Sequence, residues 1–165
     1  MRANELKVDE LSLKILAVLQ KNSRLSYSLI GKEVGLSAPA VAERVKKMES
    51  MGIISCYTIE LAKENLGLDF VAFIKISIPG IHAHQMAKAI EIAMKTPEVI
   101  ECHRITGSDD MIIKTLLTSR EHLKRIIDTF APYGQLTTAI VIASFIDKHF
   151  MDLDLVPEIL KRDLI

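Results

Sequence analysis

Cysteine is scarce in this 165-residue sequence: Cys56 and Cys102 are the only two, far apart and without a CxxC partner. That excludes a disulfide framework and a zinc knuckle, fits a reducing cytoplasm, and leaves both cysteines as expected packing residues. No window reaches the roughly 18 uninterrupted apolar residues of a membrane span, and the charged start, Met1 to Glu10, has no long apolar core. The sequence therefore reads as soluble and unexported, with no membrane partner. No nucleophile, base and orienting group fall at readable spacing, so no catalytic residue is assigned and no enzyme is expected. His82 and His84 alternate beside a turn, but His103, His122 and His149 are scattered over other elements, so neither a metal nor another cofactor is expected. An excess of charge of one sign is missing too. The formal net charge is zero, with nine Lys or Arg against seven Asp or Glu in residues 1–60 and twelve against fourteen in residues 61–165. Any affinity for nucleic acid must come from where the basic residues are placed.

What is present is an ordinary folded composition, 49% hydrophobic and 25% charged, in a length that suits two small domains. Asp9 is placed to cap a first helix whose Leu11, Ile15, Val18 and Leu19 recur at helical spacing and which ends near Lys21-Asn22. Ser26 can cap a short second helix with Ile30 and Val34 inward, stopped by Gly35. Ser37 starts a third helix with Pro39 in its first turn, Val41, Val45 and Met48 on one face, and Gly52 at its end. The run Ile53 to Leu61, rich in β-branched and aromatic residues, predicts a wing or hairpin strand. A polar segment, residues 62–69, is the expected linker between a first domain, residues 1–61, and a second, residues 70–146, followed by a tail, residues 147–165.

The second half changes rhythm. Strand Phe70 to Ile78, helix His84 to Lys95, strand Val99 to Ile105, strand Met111 to Leu117, helix Arg120 to Phe130 and strand Leu136 to Phe145 give the order βαββαβ. The fold class is thus α+β: an N-terminal winged helix-turn-helix followed by a ferredoxin-like domain. Met86, Ile90, Ala93 and Met94 are the expected inner face of one helix; Leu123, Ile126, Ile127 and Phe130 that of the other. Strand one offers Phe70, Ala72, Ile74 and Ile76 to one side and Val71 and Phe73 to the other. A sheet apolar on both faces with helices on only one calls for a second copy, so a homodimer at least is expected.

The helix-turn-helix spacing is Gly31 in helix two, Gly35 at the turn, Leu36 just after it and Val41 in helix three. Gly31 allows helix three to cross closely, Gly35 supplies a left-handed turn, and Leu36 plugs the core. With Val41, Val45 and Met48 inward, the outer face carries Pro39, Ala40, Glu43, Lys46, Lys47 and Ser50, with Arg44 on its flank. Such a face suits the major groove of double-stranded DNA. Arg44, Lys46 and Lys47 can bind phosphate or guanine edges, small Ala38 and Ala40 allow close approach, and Glu43 can accept from cytosine. Ser26 and Ser28 open helix two and Ser37 opens helix three, where exposed N–H groups attract phosphate. The bland alternative is a three-helix bundle with a solvated basic face; the complete spacing outweighs it. Near-neutral charge then predicts modest affinity per copy and reliance on oligomer avidity.

These residues, together with Val8-Asp9-Glu10, Ile15-Leu16, Leu19-Gln20-Lys21-Asn22, Arg24-Leu25-Ser26, Val34-Gly35-Leu36-Ser37, Arg44 to Glu49, Gly52-Ile53-Ile54 and Tyr57, resemble the Lrp/AsnC family of feast-or-famine regulators. The resemblance extends over nearly the whole chain, through Pro97-Glu98-Val99 and Gly107-Ser108-Asp109-Asp110. Ser12 departs from it, standing where an acidic residue is usual. The resemblance implies transcription regulation in the cytoplasm on the nucleoid, by dimers often assembled into tetramers or octamers. It also implies an amino acid or related metabolite bound near residues 107–110. Gly107 can expose N–H groups to a carboxylate, and Asp109 or Asp110 can hold an ammonium group. A ligand-free polar hairpin turn is an equal reading of those four residues. Thr106, Thr137 and Thr138 are further candidates for the pocket. Two alternatives share the architecture. Haem-pathway decarboxylases resemble it but carry paired arginines after the wing's Gly-x-Ile, where this sequence has Ser55-Cys56-Tyr57. A metabolite-sensing oligomer without DNA binding leaves Arg44, Lys46 and Lys47 without a purpose.

Overall fold

Asp9, Ser26 and Ser37 each adopt extended backbone and accept a hydrogen bond from the N–H three residues on, and each thereby starts a helix. In this computed structural model, which describes residues 8–68, 70–78, 80, 83–145 and 153, those helices are α1 (Glu10–Lys21), α2 (Tyr27–Val34) and α3 (Ala38–Ser50). Ile15, Val18, Ile30, Val41, Val45 and Met48 are buried together between them, with Val34, Leu36 and Ile54 packed at the margin. Gly35 ends α2 in the left-handed conformation, φ 76°. Gly31 is required by close approach: a Cβ there would sit 2.3 Å from the Leu36 carbonyl oxygen. The pressure comes from the turn itself, whose Leu36 N–H donates to the Gly31 carbonyl, and not from the body of the next helix.

The chain divides into two units between Ile59 and Glu60. The second is built on β1 (Phe70–Ser77), α4 (Ala83–Lys95), β2 (Val99–Arg104), β3 (Met111–Leu117), α5 (Arg120–Phe130) and β4 (Gln135–Ile140). The strands form one antiparallel sheet in the order β2-β3-β1-β4, the ferredoxin-like arrangement that the βαββαβ sequence predicts. Ala72, Ile74 and Ile76 of β1 and Met111, Ile113 and Leu117 of β3 are buried on one face with Ala89, Ala93, Leu123, Ile126 and Phe130. Thr115, also buried there, satisfies its hydroxyl by donating to the Ala72 carbonyl at 3.1 Å.

The other face is less apolar than strand one suggests. Val71, Phe73, Ile112 and Leu116 lie half-buried on it, but Lys114 reaches over the Phe73 ring at 5.8 Å and pairs with Glu101 at 3.0 Å. His103 lies 3.6 Å from the same carboxylate. This face is apolar at its centre with a charged band across it.

Four further expectations are corrected. Helix α4 is rotated from its predicted phase: Met86, Ala89, Ile92 and Ala93 pack on the core, while Ile90 is 36% and Met94 83% exposed. Ala89, too small to stand out in a hydrophobic pattern, is fully buried in that core. The wing forms no strand. Residues 55–62 have no regular structure: among the described residues no strand pairs with them, and β-rich composition alone makes no ladder. Beyond it, Glu64–Leu66 form a 3₁₀ turn closed by Gly67. Finally, Cys56 and Cys102 are exposed rather than packed. The last strand also stops at Ile140, leaving Ile142 and Phe145 almost fully exposed. The tail, residues 147–165, and His82 lie outside the described residues, Leu153 apart. Among the described residues no helix is long and apolar enough to cross a membrane, and no cluster of three or more His, Cys, Asp or Glu can hold a metal.

Candidate functional site

The outer face of α3 follows from its buried one. With Val41, Val45 and Met48 at or near zero exposure, Pro39, Glu43, Lys46, Lys47 and Ser50 are left exposed, and Ala38 and Ala40 half-buried. Ser26 and Ser37 use their hydroxyl oxygens as caps, accepting from Leu29 and Ala40 at 3.3 and 3.4 Å. Each hydroxyl keeps its hydrogen to donate outward. Ser28 is exposed in the first turn of α2. The face therefore brings together two helix starts, small residues and two outward ammonium groups.

Arg44 is placed differently from its lysine neighbours. Its Nη1 donates to Asp9 Oδ1 at 2.7 Å and to Ser12 Oγ at 3.2 Å, so its contacts run inward to α1. Asp9 meanwhile caps α1 by accepting from the Ser12 N–H at 2.9 Å. The Arg44 guanidinium first, and the Ser12 hydroxyl and N–H next, hold the Asp9 carboxyl far below the usual carboxylate range. Val8, Met48, Met51 and Lys47 join these three residues around a cavity of about 280 Å³. In the sequence Asp9 is legible only as a cap, because its partner lies 35 residues away at no local period. At the far end of α3, Tyr57 Oη donates to Glu49 at 2.8 Å; partial burial, and then the Glu49 carboxylate, push its phenol up to about 12.

In the second unit, Asp110 and Asp109 separate. The Asp110 N–H donates to the Ile76 carbonyl, its carbonyl accepts from Ile105, and its carboxylate accepts from the Ile78 N–H at 2.8 Å. It staples the loop to the end of β1. Asp109 accepts from Ser108 at 3.1 Å and lies 3.7 Å from Lys75 Nζ. Gly107, with φ 128°, has open space where a Cβ would be. Lys75 stands opposite Thr137 on β4, whereas Thr138 stands opposite buried Ile74. Neighbours in a strand point to opposite faces, so Thr137 shares a face with Lys75 and Asp109, and Thr138 lies on the helix-covered side. Thr106 is exposed at the loop start. Lys75, hidden as an ordinary strand lysine in the sequence, is the residue that joins the loop to β4.

Residues 8–55 match the family model described as winged helix-turn-helix DNA-binding, and residues 71–149 match the Lrp/AsnC ligand binding domain. The chain is 39% identical to the HTH-type transcriptional regulator YezC of Bacillus subtilis, over 83% of this chain and 95% of that one. It is 31% identical to the Bacillus subtilis regulator LrpC, over 87% and 98% of the two chains. The solved structure of LrpC superposes with a TM-score of 0.77 over 87% of this chain and all of that one. A Neisseria meningitidis transcriptional regulator solved as its L-Met complex superposes at 0.82, with 28% identity, over 92% and 99%.

Proposed function

The chain belongs to the Lrp/AsnC family of transcriptional regulators, and from that premise we propose which surfaces do the work. The outer face of α3 enters the major groove of double-stranded DNA. Lys46 and Lys47 meet phosphates or guanine edges, and Ala38, Pro39 and Ala40 permit close approach. Glu43 contributes base preference, and the helix starts at Ser26, Ser28 and Ser37 receive flanking phosphates. The single observation that carries this is the exposed face of α3 bearing Lys46 and Lys47, on a helix that, like α2 before it, starts at a serine cap.

The effector is an amino acid or related metabolite, as the L-Met complex of the Neisseria relative supports. Gly107, Ser108 and Asp109, with Thr106, Lys75 and Thr137, would surround it. Lys75 meets the carboxylate and Asp109 the ammonium group, while Asp110 holds the loop in shape. The half-apolar sheet face is covered by a second copy, giving a homodimer that can extend to a tetramer or octamer. The zero net charge makes that avidity part of DNA binding in the cytoplasm, on the nucleoid.

Binding of the duplex upstream of its own coding sequence, measured against salt, tests the reading. Lys46→Ala/Lys47→Ala should weaken binding and flatten the logarithmic salt slope by about 0.9 for each phosphate no longer neutralised. Salt-insensitive or absent binding by the native protein overturns it. Added L-methionine and other amino acids should shift binding, and the shift should vanish in Asp109→Asn.

A further inference from the structure

Arg44 has the charge of a phosphate ligand but not the placement of one. Its Nη1 is shared between both oxygens of the Asp9 carboxylate and the Ser12 hydroxyl. Ser12 is only 6% exposed. Drawing Arg44 out to a DNA phosphate would take a charged donor from a buried hydroxyl and leave a carboxylate facing incoming DNA. Both changes are unfavourable. Lys46 and Lys47, exposed on the same helix, offer phosphates a cation without either cost.

The pair also joins two elements at defined points. Asp9 is the N-cap of α1, tied to the Ser12 N–H, and Arg44 lies midway along α3 between buried Val41 and Val45 on one side and Met48 on the other. Apolar packing alone leaves a helix some freedom to roll and tilt, and a charge-assisted contact from one guanidinium nitrogen to a carboxylate and a buried hydroxyl narrows that freedom. A surface pocket opens beside the pair, lined by Val8, Met48, Met51 and Lys47 as well as by Asp9, Ser12 and Arg44 themselves, so this edge of the α1–α3 contact is less fully packed than the core where Val41, Val45 and Met48 are buried. The polar latch fixes that edge.

We propose that Asp9 and Ser12 are positioning residues for DNA recognition, holding Arg44 so that α3 keeps one orientation relative to α1, and that Arg44 acts through this latch rather than by touching phosphate. This rests on the assignment of α3 as the DNA-reading helix. Asp9→Asn is the informative variant, because asparagine keeps the cap while removing the charge. Affinity for the upstream duplex and for a scrambled duplex of the same composition is measured across a salt series. Native protein, Asp9→Asn, Arg44→Ala, the double variant and Lys47→Ala are compared, with folding checked by circular dichroism. The latch predicts that Asp9→Asn and Arg44→Ala each lower affinity for the specific duplex about threefold to tenfold. Affinity for the scrambled duplex and the salt slope stay at native values, and the double variant is no worse than either single one. Lys47→Ala should instead flatten the slope on both duplexes. A slope lowered by about 0.9 in Arg44→Ala, or an Asp9→Asn protein that binds more tightly with a steeper slope, overturns the latch: Arg44 would then be a phosphate ligand that Asp9 restrains. Native protein that binds neither duplex overturns the DNA-reading assignment and the latch together. Native binding with unchanged specificity in both single variants overturns the latch alone.

Discussion

The two units place their candidate sites in opposite ways. In the first, a small core of three helices leaves one face of α3 outside, and nearly every proposed DNA-facing residue lies on that helix or at the start of α2. In the second, the candidate site belongs to no single element: Lys75 comes from β1, Asp109 from the loop before β3, and Thr137 from β4. A site on one helix is a by-product of burying its other side. A site gathered from three segments exists only when the whole sheet is in register. The largest test of this difference uses the glycine that each unit needs for close approach. A Cβ at Gly31 would lie 2.3 Å from the Leu36 carbonyl oxygen, and one at Gly134 would lie 2.4 Å from the Ser77 carbonyl oxygen. Alanine's better helix propensity returns about 1 kcal/mol at Gly31, but overpacking against backbone outweighs it. Each substitution to alanine should cost about 2–3 kcal/mol. Hydrogen exchange should show Gly31→Ala loosening α1 to α3 and Gly134→Ala loosening the sheet. Loosening of both units by either variant would break the comparison.

The same contrast explains what could be read in the sequence. The three N-terminal helices, their serine and aspartate caps and the buried Val41, Val45 and Met48 all follow from local spacing, since capping and a 3.6-residue period act within a few residues. The order βαββαβ was legible for the same reason. What was hidden depends on distant partners. The phase of α4 turned on Ala89 fitting against the sheet, the wing had no strand to pair with among the described residues, and Arg44 read as a cation on the flank of the outer face until Asp9 was brought beside it. Thr137 and Thr138 looked equivalent, and strand register placed them on opposite faces.

Asp109 and Asp110 give a finer test inside the second unit. They are adjacent, but Asp110 holds the Ile78 N–H at 2.8 Å, while Asp109, its side chain 16% exposed, meets only the Lys75 and Ser108 side chains and holds no backbone N–H among the described residues. Asp110→Ala should cost about 1–2 kcal/mol by leaving that N–H without its acceptor, and any loss of effector response should follow from the misplaced loop. Asp109→Asn should change stability by less than about 0.5 kcal/mol and still lose the response. Calorimetry paired with effector titration separates them; equal stability losses would make Asp109 a second staple. In the first unit, Tyr57→Phe removes the hydrogen bond to Glu49 and should cost about 0.5–1 kcal/mol. The phenol's ordinary value of 10 is raised to about 12 on folding. Its contribution is therefore full below pH 10 and fades as pH rises through 12, a fade that Tyr57→Phe should abolish.

The smallest expected effect separates the units at the acid end. Folding lowers the Asp9 carboxyl from its ordinary 3.8, chiefly through Arg44 and Ser12. It also lowers Glu101, chiefly through Lys114, and Glu98, chiefly through His122. For a carboxyl lowered by folding, the stabilisation is complete above its unfolded value and drains away as pH falls through the folded one. Both units should thus weaken below about pH 4, but through different pairs. Asp9 is 54% exposed on its side chain, so solvent screening holds its share to less than about 1 kcal/mol. Asp9→Asn should be slightly less stable than the native chain at pH 7. It should lose less on acidification in α1 to α3 and no less in the sheet. NMR signals of Val41 and Ile74, buried in separate cores, report each unit during one acid titration. If the Val41 midpoint does not move while that of Ile74 does, Asp9 is not the carboxylate that gives the first unit its acid sensitivity. The Arg44 latch would then contribute orientation without measurable stability.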